Sequence, residues 1–186
     1  YESPLETWQT NVLGTLHILE ALRNIDKTCV AVLITSDKCY DNVEWVWGYR
    51  ENDAMGGPDP YSASKGAAEI IFSSYLRSYF ESRQSIGAAS ARAGNVIGGG
   101  DWSNDRLIPD VLKSFENNEE LIIRNPKSVR PWQYILDVIN GYLLVAERTF
   151  KNKGIFYLLW AYLIFSSLFI HEISLKNIIH KNVNVR

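Results

Sequence analysis

Tyr61 and Lys65 stand four residues apart, a spacing that puts a phenol and an ammonium one turn apart on one helix face. A phenol with a pKa of about 10 must lose roughly three units to act as a base near neutrality, about 4 kcal/mol. A lysine charge about 4 Å away, at an effective dielectric of about 20, supplies that much. Upstream, Ser36, Asp37 and Lys38 set a hydroxyl, a carboxyl and an amine in consecutive positions. Together the two segments predict a reacting centre with more than one proton to move.

The elements that must hold these groups are legible in outline. Pro4 suits a first helical turn, and Leu5, Trp8, Val12, Leu13, Leu16, Leu19 and Leu22 follow at helical spacing. The β-branched apolar run from Thr28 to Thr35 predicts a buried parallel strand. A long loop follows to Pro60, then a helix from Tyr61 to about Arg83 with Ala67, Ala68, Ile71, Tyr75, Leu76 and Tyr79 packed. Ser85 to Arg92 predicts a strand, and the glycine-rich stretch from Gly94 to Trp102 predicts a loop. Leu107–Phe115 and Tyr134–Phe150 read as helices, with a short strand over Leu121–Arg124 between them. Strands alternating with helices predict an α/β fold with a doubly wound parallel sheet, whose ligands bind beyond the carboxyl ends of the strands. The Thr35–Lys38 segment and the loop after Arg92 then share one rim.

With 186 residues, 46% apolar and 22% charged, the chain is long enough for a substantial core. A formal charge of -2 and scattered Lys and Arg give no electrostatic reason to expect nucleic acid as a partner. Cys29 and Cys39 are the only cysteines, without the spacing of a metal site, so no metal is expected and the thiols read as reduced. No GxGxxG turn occurs near the start, although a nucleotide-binding sheet needs one to admit a diphosphate. Composition changes near Gly154, and Ile155–Ile170 is almost wholly apolar. As a helix that run would span about 24 Å against a hydrocarbon core of about 30 Å. A membrane segment, a buried segment and a frame-shifted end all remain open, with a membrane role disfavoured.

The text around the reactive residues resembles a known family. Tyr61 and Lys65 match the YxxxK pair of the extended short-chain dehydrogenases/reductases. Thr35–Tyr40 (TSDKCY), Trp45–Glu51 (WVWGYRE), Arg92–Trp102 (RAGNVIGGGDW), Asp105–Pro109 (DRLIP) and Arg130–Gln133 (RPWQ) are similar to the CDP-glucose 4,6-dehydratases of that family, over Tyr1–Lys153. Lys38 stands where the related dTDP-glucose dehydratases carry glutamate, which points to the CDP-sugar branch.

The resemblance implies a partial Rossmann-type fold, bound NAD, and dehydration of CDP-glucose to CDP-4-dehydro-6-deoxyglucose, a step toward bacterial surface polysaccharide. It implies that Tyr61 deprotonates the sugar 4-hydroxyl, aided by Lys65, which also holds the nicotinamide ribose. Lys38 is then the base at C5, Asp37 the acid at the departing 6-hydroxyl, and Ser36 a donor to the 4-oxygen. Arg92 carries over as a cofactor contact, and Asn95, Arg106 and Arg130 as substrate contacts. Asn11 is expected to tie backbone groups together beneath the site. Trp45, Trp47 and Trp102 either line the nucleotide pocket or bury aromatic area.

By the same resemblance, residues 1–105 are the later part of the NAD-binding domain and 106–153 part of a substrate lobe. Residues 154–186 form an atypical tail. The glycine-rich N-terminal unit and much of the lobe are expected to be missing. A cytoplasmic homo-oligomer pairing through Pro4–Asn24 and Tyr61–Arg83 is implied for the full-length protein. An inactive remnant, another nucleotide-sugar dehydratase or epimerase, and a membrane-tethered form stand as alternatives.

Overall fold

A computed structural model describes residues 3–123, 128, 130–152 and 156–158. The first helical pattern is one continuous rod in three pieces. These are α1 (Pro4–Trp8), a π-turn (Gln9–Leu13) and α2 (Gly14–Arg23). The π-turn holds Asn11, and Thr15 Oγ1 donates to the Asn11 carbonyl at 2.7 Å. Arg83 closes the far end by donating to the carbonyls of Leu22, Arg23 and Ile25, groups that a helix terminus leaves without partners.

Strand β1 (Cys29–Ile34) runs parallel to β2 (Ile86–Ala91), in register from Cys29 opposite Ile86 to Ile34 opposite Ala91. Strand β5 (Phe156–Leu158) joins the other side of β2, parallel, giving the order β1-β2-β5. Alternation divides the strands between two faces. On one face Cys29, Ala31, Leu33, Ile86 and Ala88 pack with Leu19 and Leu22 of α2 and with Phe72, Leu76 and Phe80. On the other lies α5 (Ile135–Asn152), and a Cβ at Gly87 would sit 2.7 Å from Thr149 Cγ2. Small residues fill β2 because helices press on it from both sides. β1, expected as a buried strand, is only partly buried, with Ile34 53% exposed, because its outer edge has no partner strand among the described residues.

Helix α3 (Pro60–Tyr75) continues into a second π-turn, Leu76–Phe80. Ala68, Phe72, Leu76 and Phe80 are buried at steps of four, a spacing that drifts off one face of a regular helix. The wider final turn keeps Phe80 in the core. For the same reason Tyr79, expected inside, is exposed.

Four expectations need correction. Asn95–Ile97, expected as loop, is a strand, β3, paired in parallel with β4 (Trp132–Tyr134). Its flanking glycines serve close approach: a Cβ would lie 2.6 Å from Pro131 Cγ at Gly94 and 2.6 Å from Ile135 Cγ2 at Gly98. Leu121 and Ile123 are buried but form no strand, and Arg124 lies outside the described residues. The boundary at 105 does not part α5 from the sheet, because α5 packs on β1 and β2. Of the apolar run after Gly154, Phe156–Leu158 is strand, and the remainder lies outside the described residues. α4 (Leu107–Asn117) matches its expected helix. Among the described residues no helix is long and apolar enough to cross a membrane.

Candidate active site

Asp59 fixes where α3 begins. Its Oδ1 accepts from the backbone N–H groups of Tyr61 and Ser62, both at 3.0 Å, and its Oδ2 accepts from Ser62 Oγ at 2.7 Å. Pro60 at the first position is pre-shaped for the turn. Tyr61 thus enters in the first turn, 46% exposed. Lys65 Nζ lies 5.7 Å from the centre of the Tyr61 ring. Burial lowers the Lys65 pKa below the usual lysine value. Asn11, on the first π-turn, donates to Ser64 Oγ at 2.9 Å, and Ser64 donates to the Tyr61 carbonyl at 2.7 Å. A chain of two bonds therefore joins the two helices beneath Tyr61.

Ser36–Asp37–Lys38 follows the carboxyl end of β1 as a tight 3₁₀ turn, Asp37–Cys39. Ser36 Oγ caps it, accepting from the Lys38 N–H at 3.2 Å and donating to Asp37 Oδ1 at 3.0 Å. The Asp37 N–H reaches back to the Ala93 carbonyl at 3.0 Å, binding the turn to the end of β2. α3 packs directly on this turn. A Cβ at Gly66 would stand 3.1 Å from the Cys39 carbonyl oxygen, so the helix comes as near as glycine allows. The Lys38 charge reaches the helix cap. Burial pushes the Asp59 carboxyl up, but its bonds from Ser62 and Tyr61 and the Lys38 charge hold it below the ordinary value. Cys39 behind the turn is buried, its thiol pushed up to about 12, so it stays protonated and unreactive.

Beside Lys65 a cleft of about 270 Å³ opens along the free edge of β1. Its walls are Thr10, Asn11, Thr15 and Ile18 on one side and Val32–Thr35 on the other.

Arg92, expected as a cofactor contact, is held within the protein. It is 7% exposed, and both terminal nitrogens of its guanidinium are bonded inside the protein, while the buried Nε has no partner. Nη2 pairs with Glu69 Oε2 at 2.9 Å, and Nη1 donates to Tyr40 Oη at 2.6 Å and to the Glu51 carbonyl at 3.3 Å. Ser90 Oγ donates to Glu69 Oε2 at 2.9 Å, and Thr35 Oγ1 donates to Oε1. From Arg92 a column of rings climbs to the surface. Arg92 Cζ lies 5.0 Å from the Tyr40 ring, Tyr40 stacks on Tyr49 at 5.0 Å, and Trp45 lies 5.5 Å from Tyr49. The column orders the loop after Tyr40. All three tryptophans, Trp45, Trp47 and Trp102, are exposed, and Trp45 packs one side on Tyr49.

Burial pushes the Glu69 carboxyl up, but the Arg92 bond and charge and the two hydroxyls outweigh it and hold the pKa below the ordinary value. A depressed carboxylate contributes stability at pH above its unfolded value, lost as pH falls through the folded one. The thermal midpoint of the chain should therefore drop steeply below about pH 4, with Asp59 acting in the same direction. Glu69→Gln should flatten that drop. A wild-type midpoint that stays level from about pH 6 to about pH 3 would rule this out.

The expected substrate contacts are only partly gathered. Asn95 begins β3 with its N–H on the Pro131 carbonyl at 2.9 Å, so Asn95 and the exposed Arg130 lie at the same end of the β3–β4 pair. Arg106 is exposed ahead of α4, with Nε 3.8 Å from Asp101 Oδ2. Asp59 and Glu69 were absent from the sequence reading. Asp-Pro before a helical pattern was a usable signal for the first. Nothing marked the second, since glutamate on a helix is ordinarily solvated.

Residues 1–158 match the NAD dependent epimerase/dehydratase family, running past Lys153 into β5. The chain is 56% identical over 160 residues to a CDP-glucose 4,6-dehydratase of Salmonella typhimurium, covering 84% of this chain and 45% of that relative. Two solved structures share its fold. A UDP-N-acetylglucosamine 4-epimerase from Methanobrevibacter ruminantium M1, in complex with UDP-N-acetylmuramic acid, gives a TM-score of 0.69 at 21% identity, over 84% of this chain and 49% of that one. A dTDP-glucose 4,6-dehydratase from Bacillus anthracis, in complex with NAD, gives 0.67 at 22%, over 81% and 46%. The chain thus spans about half the length of these relatives and carries part of a Rossmann-type fold. With the family match running through the Ser36–Lys38 turn, the Tyr61–Lys65 helix and all three strands of the main sheet, the chain belongs to the NAD dependent epimerase/dehydratase family.

Proposed function

We propose that this chain carries the catalytic rim of a CDP-glucose 4,6-dehydratase, with Ser36, Asp37, Lys38, Tyr61 and Lys65 as its reacting groups. The observation that carries the reading is the packing of the Ser36–Lys38 turn against the first turns of the helix that pairs Tyr61 with Lys65. Its specificity for CDP-sugars draws support from the 56% identity to a relative of that activity.

Bound NAD, the family's cofactor, would supply hydride exchange with the sugar at C4 and C6. The residues present fit such a ligand: Lys65, half-buried on the wall of an open cleft beyond β1, would hold the nicotinamide ribose together with Tyr61. Tyr61 accepts the 4-hydroxyl proton. Lys65, one turn further along, places its charge beside the phenol, with Nζ 5.7 Å from the ring centre. Ser36 turns its hydroxyl from Asp37 to the 4-oxygen, which frees the Asp37 carboxyl to protonate the departing 6-hydroxyl. Lys38, acting as the free amine, takes the C5 proton, made acidic by the neighbouring ketone, and becomes the ammonium. Asn95, Arg106 and Arg130 supply the diphosphate contacts, a task that suits the planar arginine fork. In the full-length protein, pairing through the helices is supported by the exposed Leu5, Trp8, Leu13, Ile18 and Ile70 on α1–α3.

The test is direct. Purified chain with NAD and CDP-glucose should produce the alkaline absorbance of a 4-keto sugar. No such product, and no NAD binding at about millimolar ligand, would instead favour an inactive remnant. The Lys38→Ala variant should oxidise C4 yet release no water, so its sugar product keeps the 6-hydroxyl when weighed by mass spectrometry. A product 18 mass units lighter, formed at about the parent's rate, would remove Lys38 from the mechanism.

A further inference from the structure

Tyr61, Lys65 and Glu69 lie at successive steps of four on α3, about 6 Å apart along the axis. They descend from the rim into the core: Tyr61 is half-exposed, Lys65 half-buried, and Glu69 only 3% exposed. At the bottom, Glu69 takes bonds from three separate directions. Thr35 comes from the residue after β1, Ser90 from within β2, and Arg92 from the residue after β2. Arg92 then spans to Tyr40, immediately beyond the Ser36–Cys39 turn, and to the Glu51 carbonyl further along the loop.

We propose that Glu69 and Arg92 are positioning residues, whose buried pair sets the axial register of Tyr61 and Lys65 against Ser36–Asp37–Lys38. A helix held only by apolar packing can slide or rotate by fractions of an ångström, because dispersion contacts have little direction. A carboxylate with three donors fixed to two strand ends cannot follow such a movement without losing bonds. The same guanidinium fork ties the far end of the reactive turn to that carboxylate. The helix-borne pair and the turn-borne triad are thereby referred to one buried anchor, and Arg92 contributes to the reaction without touching cofactor or substrate. Only the kinetic part of the test below rests on the functional reading above.

Arg92→Lys keeps the charge opposite Glu69 but removes the fork, so one ammonium can no longer bridge Glu69 and Tyr40. Glu69→Gln keeps the shape and removes the charge. The chain alone, labelled with 13C at the lysine ε-carbons, reports Lys65 without any ligand, its signal assigned by loss in Lys65→Arg. In both variants, with helical circular dichroism unchanged, that signal should move by more than its line width. A Lys65 signal that stays in place in folded Arg92→Lys and Glu69→Gln proteins overturns the proposal. Should both variants fail to fold, Thr35→Val and Ser90→Ala each remove one donor from Glu69 and should move the same signal; no movement in them overturns it equally. In turnover of CDP-glucose, the expected loss is about 10- to 100-fold in kcat with KM within about threefold. A loss confined to KM would overturn the proposal. A wild-type chain without turnover would sink the dehydratase reading alone and leave the resonance of Lys65 to decide this one.

Discussion

Arg92→Met should cost the chain about 3–5 kcal/mol of stability, the range found when one member of a buried ion pair is removed. Glu69 would remain 3% exposed with only the hydroxyls of Thr35 and Ser90 beside it, and Tyr40 Oη would lose its donor. Against a typical total of about 5–15 kcal/mol, that loss is a large fraction. At a urea m-value of about 2 kcal/mol per molar it lowers the midpoint by about 2 M. The double variant Glu69→Leu, Arg92→Met should regain most of that loss, because well-packed apolar residues of similar size commonly replace a buried pair at little net cost. The near-ultraviolet circular dichroism of the Tyr40–Tyr49–Trp45 column should nevertheless stay altered, since the cation under Tyr40 is gone. A single variant within about 1 kcal/mol of wild type would mean that the pair behaves as a solvated one and does not anchor the fold.

The sequence showed the rim better than what lies under it. Tyr61, Lys65 and the Ser36–Lys38 turn were legible because their types are unusual together and their spacing fixes a helix face and a strand end. The rod from Pro4 to Arg23 was equally legible from its leucines, but its π-turn was not. One extra residue in a turn changes the phase of a pattern without changing its composition, which is also why Phe80 was missed and Tyr79 was placed inside. Gly94 and Gly98 were read as loop formers because propensity describes local freedom. Here they stand where Pro131 and Ile135 leave no room for a side chain, a fact of tertiary contact that no local rule contains. Arg92 was expected at the cofactor because the resemblance of its segment, RAGNVIGGGDW, carries that role over. Its actual partner, Glu69, lies 23 positions earlier on another element, and nothing in either residue's neighbourhood announces burial.

Tyr61→Phe isolates the proton transfer on which the dehydratase reading rests. The substitution removes one hydroxyl from a residue 46% exposed and keeps the ring against Lys65, so stability should change by less than about 0.5 kcal/mol. NAD affinity should fall by less than about tenfold, the worth of one hydrogen bond. Formation of the 4-keto sugar from CDP-glucose should fall by about 10²–10⁴-fold, the contribution of a positioned proton acceptor. The contrast between an intact fold, near-normal binding and lost turnover is what separates a chemical role from a structural one. Lys65 sharpens it: Lys65→Met should also stop turnover, but by removing a cation that burial already disfavours it should raise the thermal midpoint rather than lower it. A Tyr61→Phe chain that turns over CDP-glucose within threefold of its parent would leave the phenol as a surface aromatic and return the site to an open question about which other group takes the proton.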